Sequence, residues 1–518
     1  MRGKSSSWTV PAHSEATDLR RPKACGMRGK SRFSVDSALR MGVLAAFAVA
    51  LSSCTMFNPA PKKTVTERVT SAFVQARDPQ NVIGKAEHPR VVADNGGAYE
   101  NAELEKLLAV VVAELVANDT DKARPRAYRV TILDSPKVNA FALPGGYLYV
   151  TRGLIALAND AAEVATVLAH EMAHVAADHG VERIAQAKAT DLATKVATGV
   201  VSNGAKGALV ARSSDAKLAR FSQKQELEAD ALGIRLAGKS GFDAFGATRF
   251  LTSLRRWSEY QAERGGGSGM MSTHPSTPRR LALAKAHARN FGPPGTGKAL
   301  RERYLKGIDG LTFGDAEAQG FVRGRRFAHK GLSIAFEVPR GFALKNRSQA
   351  AVATGRDGTA IRYDVAARAG ETANLSAADY IASGWVNGLD SASVKSTKLN
   401  GFEAATARAT AGAWRFSVAV FADGKRFHRF IVAAPGAKGA PEGIARSVTR
   451  SFRRLSETER EALAPLRVSL HTVKAGETVA SLARTMPVTA PRTLFRTLNA
   501  LGPNETLAPG RVVKLVRE

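Results

Sequence analysis

Over residues 99–118 (YENAELEKLLAVVVAELVAN) apolar side chains recur every three to four positions and carboxylates gather at the start. That is the pattern of a helix burying one face. Residues 128–133 (YRVTIL) alternate and are rich in β-branched side chains, which predicts a strand. A second strand is predicted at 147–151, entered through Pro144-Gly145-Gly146. Helical spacing returns over 161–180 and 223–239, and over a basic stretch at 278–290. Residues 190–211 are small, apolar and weakly charged, suited to a helical hairpin covering a site rather than to contact with lipid. Glycines over 265–271 predict a flexible loop, and 292–298 (GPPGTGK) a linker. Beyond residue 320 the period changes. Alternating stretches at 332–338, 360–366, 414–421 and 426–434 predict strands, with Asp423-Gly424 a strong hairpin signal between the last two.

Composition narrows this pattern. A chain of 518 residues has room for about three to four domains. Apolar residues make up 44% and charged residues 23%, which is globular material. Cys25 and Cys54 are the only cysteines, so a disulfide-stapled fold and a cysteine-rich zinc ribbon are excluded. The 75 Lys and Arg against 46 Asp and Glu give a formal charge of +29, which favours anionic polymers or surfaces. The amino terminus decides among those. Residues 41–51 (MGVLAAFAVAL) are apolar, too short to span a bilayer but suited to the core of a secretion signal, and Arg28, Lys30, Arg32 and Arg40 precede them. MRGKS at Met1 recurs at Met27, an alternative start. Leu51-Ser52-Ser53-Cys54 resembles a bacterial lipobox. Residues 1–53 are therefore expected to be a signal peptide, Cys54 the lipidated residue, and 54–98 a tether and lead-in. The resemblance, with Thr55 after the cysteine, implies a periplasm-facing outer-membrane lipoprotein of a bacterial envelope, held to the membrane by its lipid anchor. Nucleic acid would explain the charge but not the signal, so no nucleic-acid partner is expected.

The chemistry lies in His170-Glu171-Met172-Ala173-His174. On a helix, positions i and i+4 share a face, so both imidazoles reach one metal while Glu171 flanks an open position. Zinc suits two nitrogens and a carboxylate with water in the fourth place, and it brings that water's pKa toward about 7, within reach of a carboxylate base. Glu226 and Asp230 lie one turn apart on the next helical segment, aimed to serve as a third ligand and its support.

Several motifs occur in order: Asn139-Ala140-Phe141 with Pro144-Gly145-Gly146, VLAHEMAHVAADHG, FSQKQELEADALGIRLAGKSGF, and Thr273-His274-Pro275-Ser276-Thr277-Pro278 with Arg280. On these the chain resembles the HtpX-like and BepA-like zinc metallopeptidases, gluzincins related to the CAAX prenyl proteases. The resemblance implies one Zn2+ held by His170, His174 and Glu226, with Glu171 as base, Asp230 and Arg280 in support, and Glu228 as a solvated charge. It gives His274 two readings: stabilising the oxyanion, or swinging in as a fourth ligand that holds the enzyme off. Asn139, Ala140, Phe141, Gly145 and Gly146 are expected in an edge strand to which a polypeptide substrate adds by backbone pairing. His179, beyond the second histidine of the motif, reads as a surface residue or a supporting one and is left outside the site.

Residues 292–299 nearly spell a phosphate-binding loop, but Ala299 replaces the Ser/Thr that binds magnesium and no strand precedes them. Residues 471–516 look like a LysM module, which implies peptidoglycan as a partner, although Glu477 stands where Asp is usual. The expected fold is α+β multidomain. A mainly helical zincin-type metallopeptidase domain with a small sheet occupies 99–290, followed by a linker at 291–319, an accessory α+β domain at 320–456 and a small βααβ LysM-like domain at 466–518. The expected function is membrane-anchored zinc endopeptidase action on misfolded envelope proteins. A scaffold with an occluded zinc site, and a peptidase for peptidoglycan stem peptides, are the alternatives.

Overall fold

A computed structural model of the chain describes residues 79–119, 127–182, 221–263, 270, 273–347, 350–436 and 441–518. Cys54, the hairpin expected at 190–211 and most of the 265–271 loop lie outside the described residues. Among the described residues no helix is long and apolar enough to cross a membrane.

The first unit opens with α1 (Pro79–Asp94) and α2 (Ala102–Ala117). Asn101 caps α2 by accepting from the Leu104 amide, and Leu104, Leu108, Val111 and Leu115 bury one face of the helix. Strands β1 (Arg129–Leu133), β2 (Ala140–Leu143) and β3 (Tyr147–Thr151) form a sheet in the order β1-β3-β2. β1 runs parallel to β3, and β2 antiparallel to it. Gly145 and Gly146 therefore sit in the turn that closes the β2–β3 hairpin, and Tyr147–Thr151 is the central strand, not the edge. A side chain at Gly146, whose φ is +79°, would place Cβ 2.0 Å from the Ala127 carbonyl oxygen.

After α3 (Arg152–Leu157) comes α4 (Ala161–Ala176), capped by Asp160 and buried on all sides from Ala161 to Val175. A helix so enclosed is the spine of its core, and polar groups within it need partners there. α5 (Gln223–Lys239) starts at a capping box between Ser222 and Gln225. It crosses α4 closely because Gly233 has no side chain: a Cβ there would lie 2.7 Å from the backbone nitrogen of His170. α6 (Gly246–Glu263) and α7 (Pro278–Arg289), the latter with Thr277 as cap and Pro278 in its first turn, complete the layer around α4.

The expected linker at 291–319 is corrected. It contains α8 (Arg301–Ile308) and β4 (Thr312–Phe313), and Tyr304, Leu305, Ile308 and Leu311 are buried in the same core as α4. The Pro-Gly punctuation ends at Gly297, and apolar residues at helical spacing follow it.

The middle region has an antiparallel sheet and a second, smaller one. Its strands are β5 (Phe321–Arg323), β6 (Arg326–His329), β7 (Ile334–Glu337), β8 (Ala343–Arg347), β9 (Ala350–Thr354), β10 (Ala360–Ala367), then, after α9 (Ala377–Ala382), β11 (Leu389–Leu399), β12 (Phe402–Ala411), β13 (Trp414–Asp423) and β14 (Arg426–Pro435). α10 (Pro441–Ser451), β15 (Arg453–Arg454) and α11 (Glu457–Glu461) close it. The large sheet runs β11-β12-β13-β14-β10-β9-β8 and the small one β15-β7-β6-β5. The four stretches read as strands from alternation fall on β7, β10, β13 and β14. Strands such as β9 (AAVAT) and β12 (FEAATARATA) escaped because alanine fills both faces and blurs the alternation.

The terminal region is β16 (Leu466–Thr472), α12 (Val479–Ala483), α13 (Pro491–Leu498) and β17 (Val512–Arg517), a strand–helix–helix–strand unit. Its sheet, in the order β17-β16-β4, borrows β4 from the first unit.

Candidate metal centre

His170 and His174 project from the same face of α4, with their Nε2 atoms 3.1 Å apart. The α4–α5 crossing brings Glu226 to them: Oε2 is 3.7 Å from His170 Nε2, and Oε1 is 3.5 Å from His174 Nε2. His274 enters from the residues before α7, its Nδ1 2.8 Å from Glu226 Oε1 and 3.4 Å from His170 Nε2. One donor atom from each of His170, His174, Glu226 and His274 lies within 4.8 Å of all the others, and all four residues are buried.

Burial pushes the His174 pKa down to about 3, which keeps its imidazole neutral and able to bind a metal. Burial works to raise the Glu226 carboxyl, yet contacts with His174 and His274 hold it well below the ordinary carboxylate range. Glu171 is 1% exposed, and burial raises its pKa above the usual value. Its Oε1 has no hydrogen-bond partner among the described residues; the nearest ionic group is His274 Nε2 at 3.8 Å. A buried carboxylate oxygen without a donor is costly unless a ligand or water meets it. Two imidazole nitrogens and a carboxylate around one point, with that unpartnered oxygen beside them, fit a zinc ion.

Behind these residues, Asp230 Oδ1 is 3.0 Å from His170 Nδ1. Arg280 donates to Asp230 through two nitrogens, Nε and Nη2, each at 2.7 Å, and its Nη1 is 2.6 Å from Glu226 Oε2. One guanidinium thus orients both carboxylates that face His170 and His174. Glu228 is half exposed, away from the donor group.

Sequence reasoning missed His179. The helix expected to run to residue 180 stops at Ala176, and Asp178 takes a left-handed φ of +56°. That turn carries His179 back under α4 until its Nδ1 is 2.9 Å from His174 Nδ1. On an unbroken helix a residue five positions on points elsewhere, so spacing gave no signal. Phe221, just ahead of the α5 cap, stacks on His174 with ring centroids 4.0 Å apart.

Ala140 and Phe141 lie in β2 with Asn139 just before it, and β2 pairs with β3 alone among the described residues. An open cleft lies between this edge and the donors, lined by Phe141, Leu143, Pro144, Glu171, His174 and Thr273 among others.

Residues 99–288 match the profile of Peptidase family M48. Over 226 residues the chain is 28% identical to a putative beta-barrel assembly-enhancing protease of Vibrio cholerae, covering 42% of this chain and 45% of the relative. It is 31% identical over 155 residues to the mitochondrial metalloendopeptidase OMA1 of Schizosaccharomyces pombe, covering 30% and 44% respectively. Identity to the metalloprotease LoiP of Escherichia coli is 30% over 186 residues, covering 35% of this chain and 70% of the relative. The chain spans less than half the length of the first two of these relatives.

Proposed function

The chain belongs to peptidase family M48, and from that premise we propose that it is a zinc-dependent metalloendopeptidase acting on polypeptides. The observation that carries this reading is the buried convergence of His170, His174 and Glu226 beside the unpartnered Glu171 Oε1. Zinc, when bound there, supplies Lewis acidity toward water and the scissile carbonyl. Glu171 accepts the proton of the attacking water at Oε1 and returns it to the departing amine; burial, which favours its protonated form, suits both halves of that task. Asp230 and Arg280 hold His170 and Glu226 in place. The edge of β2 that has no paired strand among the described residues takes the substrate backbone as an added strand, which suits unfolded chains over folded ones. Glu171→Gln should retain zinc and cut casein roughly 10²–10⁴-fold more slowly; cleavage at the wild-type rate by that variant would refute the assignment.

His274 belongs to the donor group, 2.8 Å from Glu226, and this favours its reading as a fourth ligand that holds the enzyme off. His274→Ala should then raise turnover, whereas a fall would return it to the oxyanion role. The signal-like residues 41–51 and Leu51-Ser52-Ser53-Cys54 support a lipid-anchored, periplasm-facing protein that removes misfolded envelope polypeptides. The strand–helix–helix–strand order of residues 466–518 supports a LysM-like module, with peptidoglycan as its ligand. Palmitate labelling that depends on Cys54, and co-sedimentation with purified sacculi, test these two points in turn.

A further inference from the structure

The two ligand histidines turn their second nitrogens to different surroundings. His170 Nδ1 meets Asp230, which Arg280 grips through two nitrogens. No carboxylate reaches His174 Nδ1 among the described residues; the atom facing it, at 2.9 Å, is Nδ1 of His179. His179 is 3% exposed, and its own Nε2 lies 3.7 Å from Oε2 of the half-exposed Glu228. This is a built arrangement. α4 ends at Ala176, the left-handed Asp178 breaks the helical path, and the amides of Val181 and Glu182 both close on the Asp178 carbonyl.

Chemistry assigns the protons along this chain. If Nε2 of His174 binds zinc, a neutral His174 carries its hydrogen on Nδ1 and must donate it. The facing Nδ1 of His179 is then the acceptor, which leaves the His179 hydrogen on Nε2, the atom turned toward Glu228. We propose that His179 is a positioning residue for the metal centre: it accepts the Nδ1 hydrogen of His174, fixes that ring's tautomer and tilt, and extends to it the field of the Glu228 carboxylate. The centre thereby has two supports of different construction, Asp230–Arg280 behind His170 and His179–Glu228 behind His174. A histidine acceptor replaces the carboxylate usually found behind a zinc-binding imidazole. Phe221, stacked on His174, confines the ring in the remaining direction.

This inference rests on the zinc reading of the site and is tested without relying on turnover. Full-length wild type, His179→Ala, His179→Gln and Glu228→Gln are compared for zinc affinity by chelator competition, and for the visible spectrum of the cobalt-substituted protein. Alanine should weaken zinc binding about 10–100-fold and shift the cobalt bands. Glutamine, whose amide oxygen can accept the same hydrogen, should recover most of that loss. Glu228→Gln should cost only about 2–3-fold, because its carboxylate is half in solvent. Unchanged affinity and spectrum in His179→Ala would overturn the proposal. So would equal impairment of the alanine and glutamine variants together with a lowered melting temperature of the metal-free protein, since that marks a packing role. A wild type that binds zinc in a His179-dependent way yet cuts no peptide would remove the peptidase reading and leave this one standing.

Discussion

The middle and terminal regions follow the same first unit along the chain, yet they relate to it in opposite ways. The middle region keeps its apolar residues to itself: its two main clusters, one around Phe336, Phe421 and Phe430 and one around Ile381, Val418 and Phe427, draw only on its own strands and helices. The terminal region is sewn into the first. β16 pairs with β4, Val468 joins the core that surrounds α4, and Trp257 and Tyr260 of α6 pack into the terminal cluster. The firmest stitch is polar. Lys514 on β17 is 1% exposed and donates to the carbonyls of Ala156, Leu157 and Ala158 at 2.8, 3.0 and 2.8 Å. These lie at the end of α3, where helix carbonyls lack internal partners, and three ammonium hydrogens meet three of them. Burial lowers the Lys514 pKa and raises that of Glu163, seven residues before His170 on α4. A module that looks appended in sequence thus helps hold the helix that carries the candidate donors His170 and His174, while the larger middle region keeps its main apolar clusters to itself.

That contrast can be broken most decisively by truncation after residue 465. Without β16, β17 and Lys514 the first unit should lose its cooperative melt and protease resistance; a truncated chain that stays folded and binds zinc would dissolve the distinction. Phe430→Ala, in the middle core, should cost about 3–5 kcal/mol locally. Hydrogen exchange should quicken across 320–456 while casein cleavage is unchanged, and a parallel loss of cleavage would show that the two regions are coupled. Lys514→Met strands buried carbonyls and should cost about 3 kcal/mol. Its effect should appear as faster exchange in α3 and α4 rather than in the terminal module alone.

The smallest effect concerns acid. His329 in the middle region accepts from the Leu332 amide at Nδ1 and faces the Ala318 carbonyl through Nε2, so it is satisfied while neutral. Burial pushes its pKa down to about 4. Its contribution is therefore complete above the unfolded value of about 6.5 and is lost as pH falls toward the folded one, on the order of 2 kcal/mol by pH 4.5. Hydrogen exchange at pH 7 and pH 4.5 should show the middle region loosening, less so in His329→Gln. An equal loss in both proteins would assign the acid sensitivity elsewhere.

Much of the metal centre was legible along the chain. His170, Glu171 and His174 span a single helical turn, and Glu226 and Asp230 another, so local periodicity alone aligned each set. α2, α5 and α7 were legible for the same reason: apolar spacing and caps are properties of short segments. The correction at 291–319 has the opposite origin. Proline and glycine near residue 295 hid a helix whose burial depends on α2 and α3, far back in the chain.

By itself the sequence determined the candidate donor residues, the helices that carry them and the change of period near residue 320. Each of these is written within a few turns of chain. Only the tertiary structure decided that His274 joins the donors, that His179 returns beneath His174, and that Lys514 closes α3 from more than three hundred residues away. Such pairings depend on where a helix stops and how closely two backbones cross. Asp178 and Gly233 set those distances, and neither leaves a periodic trace among its neighbours.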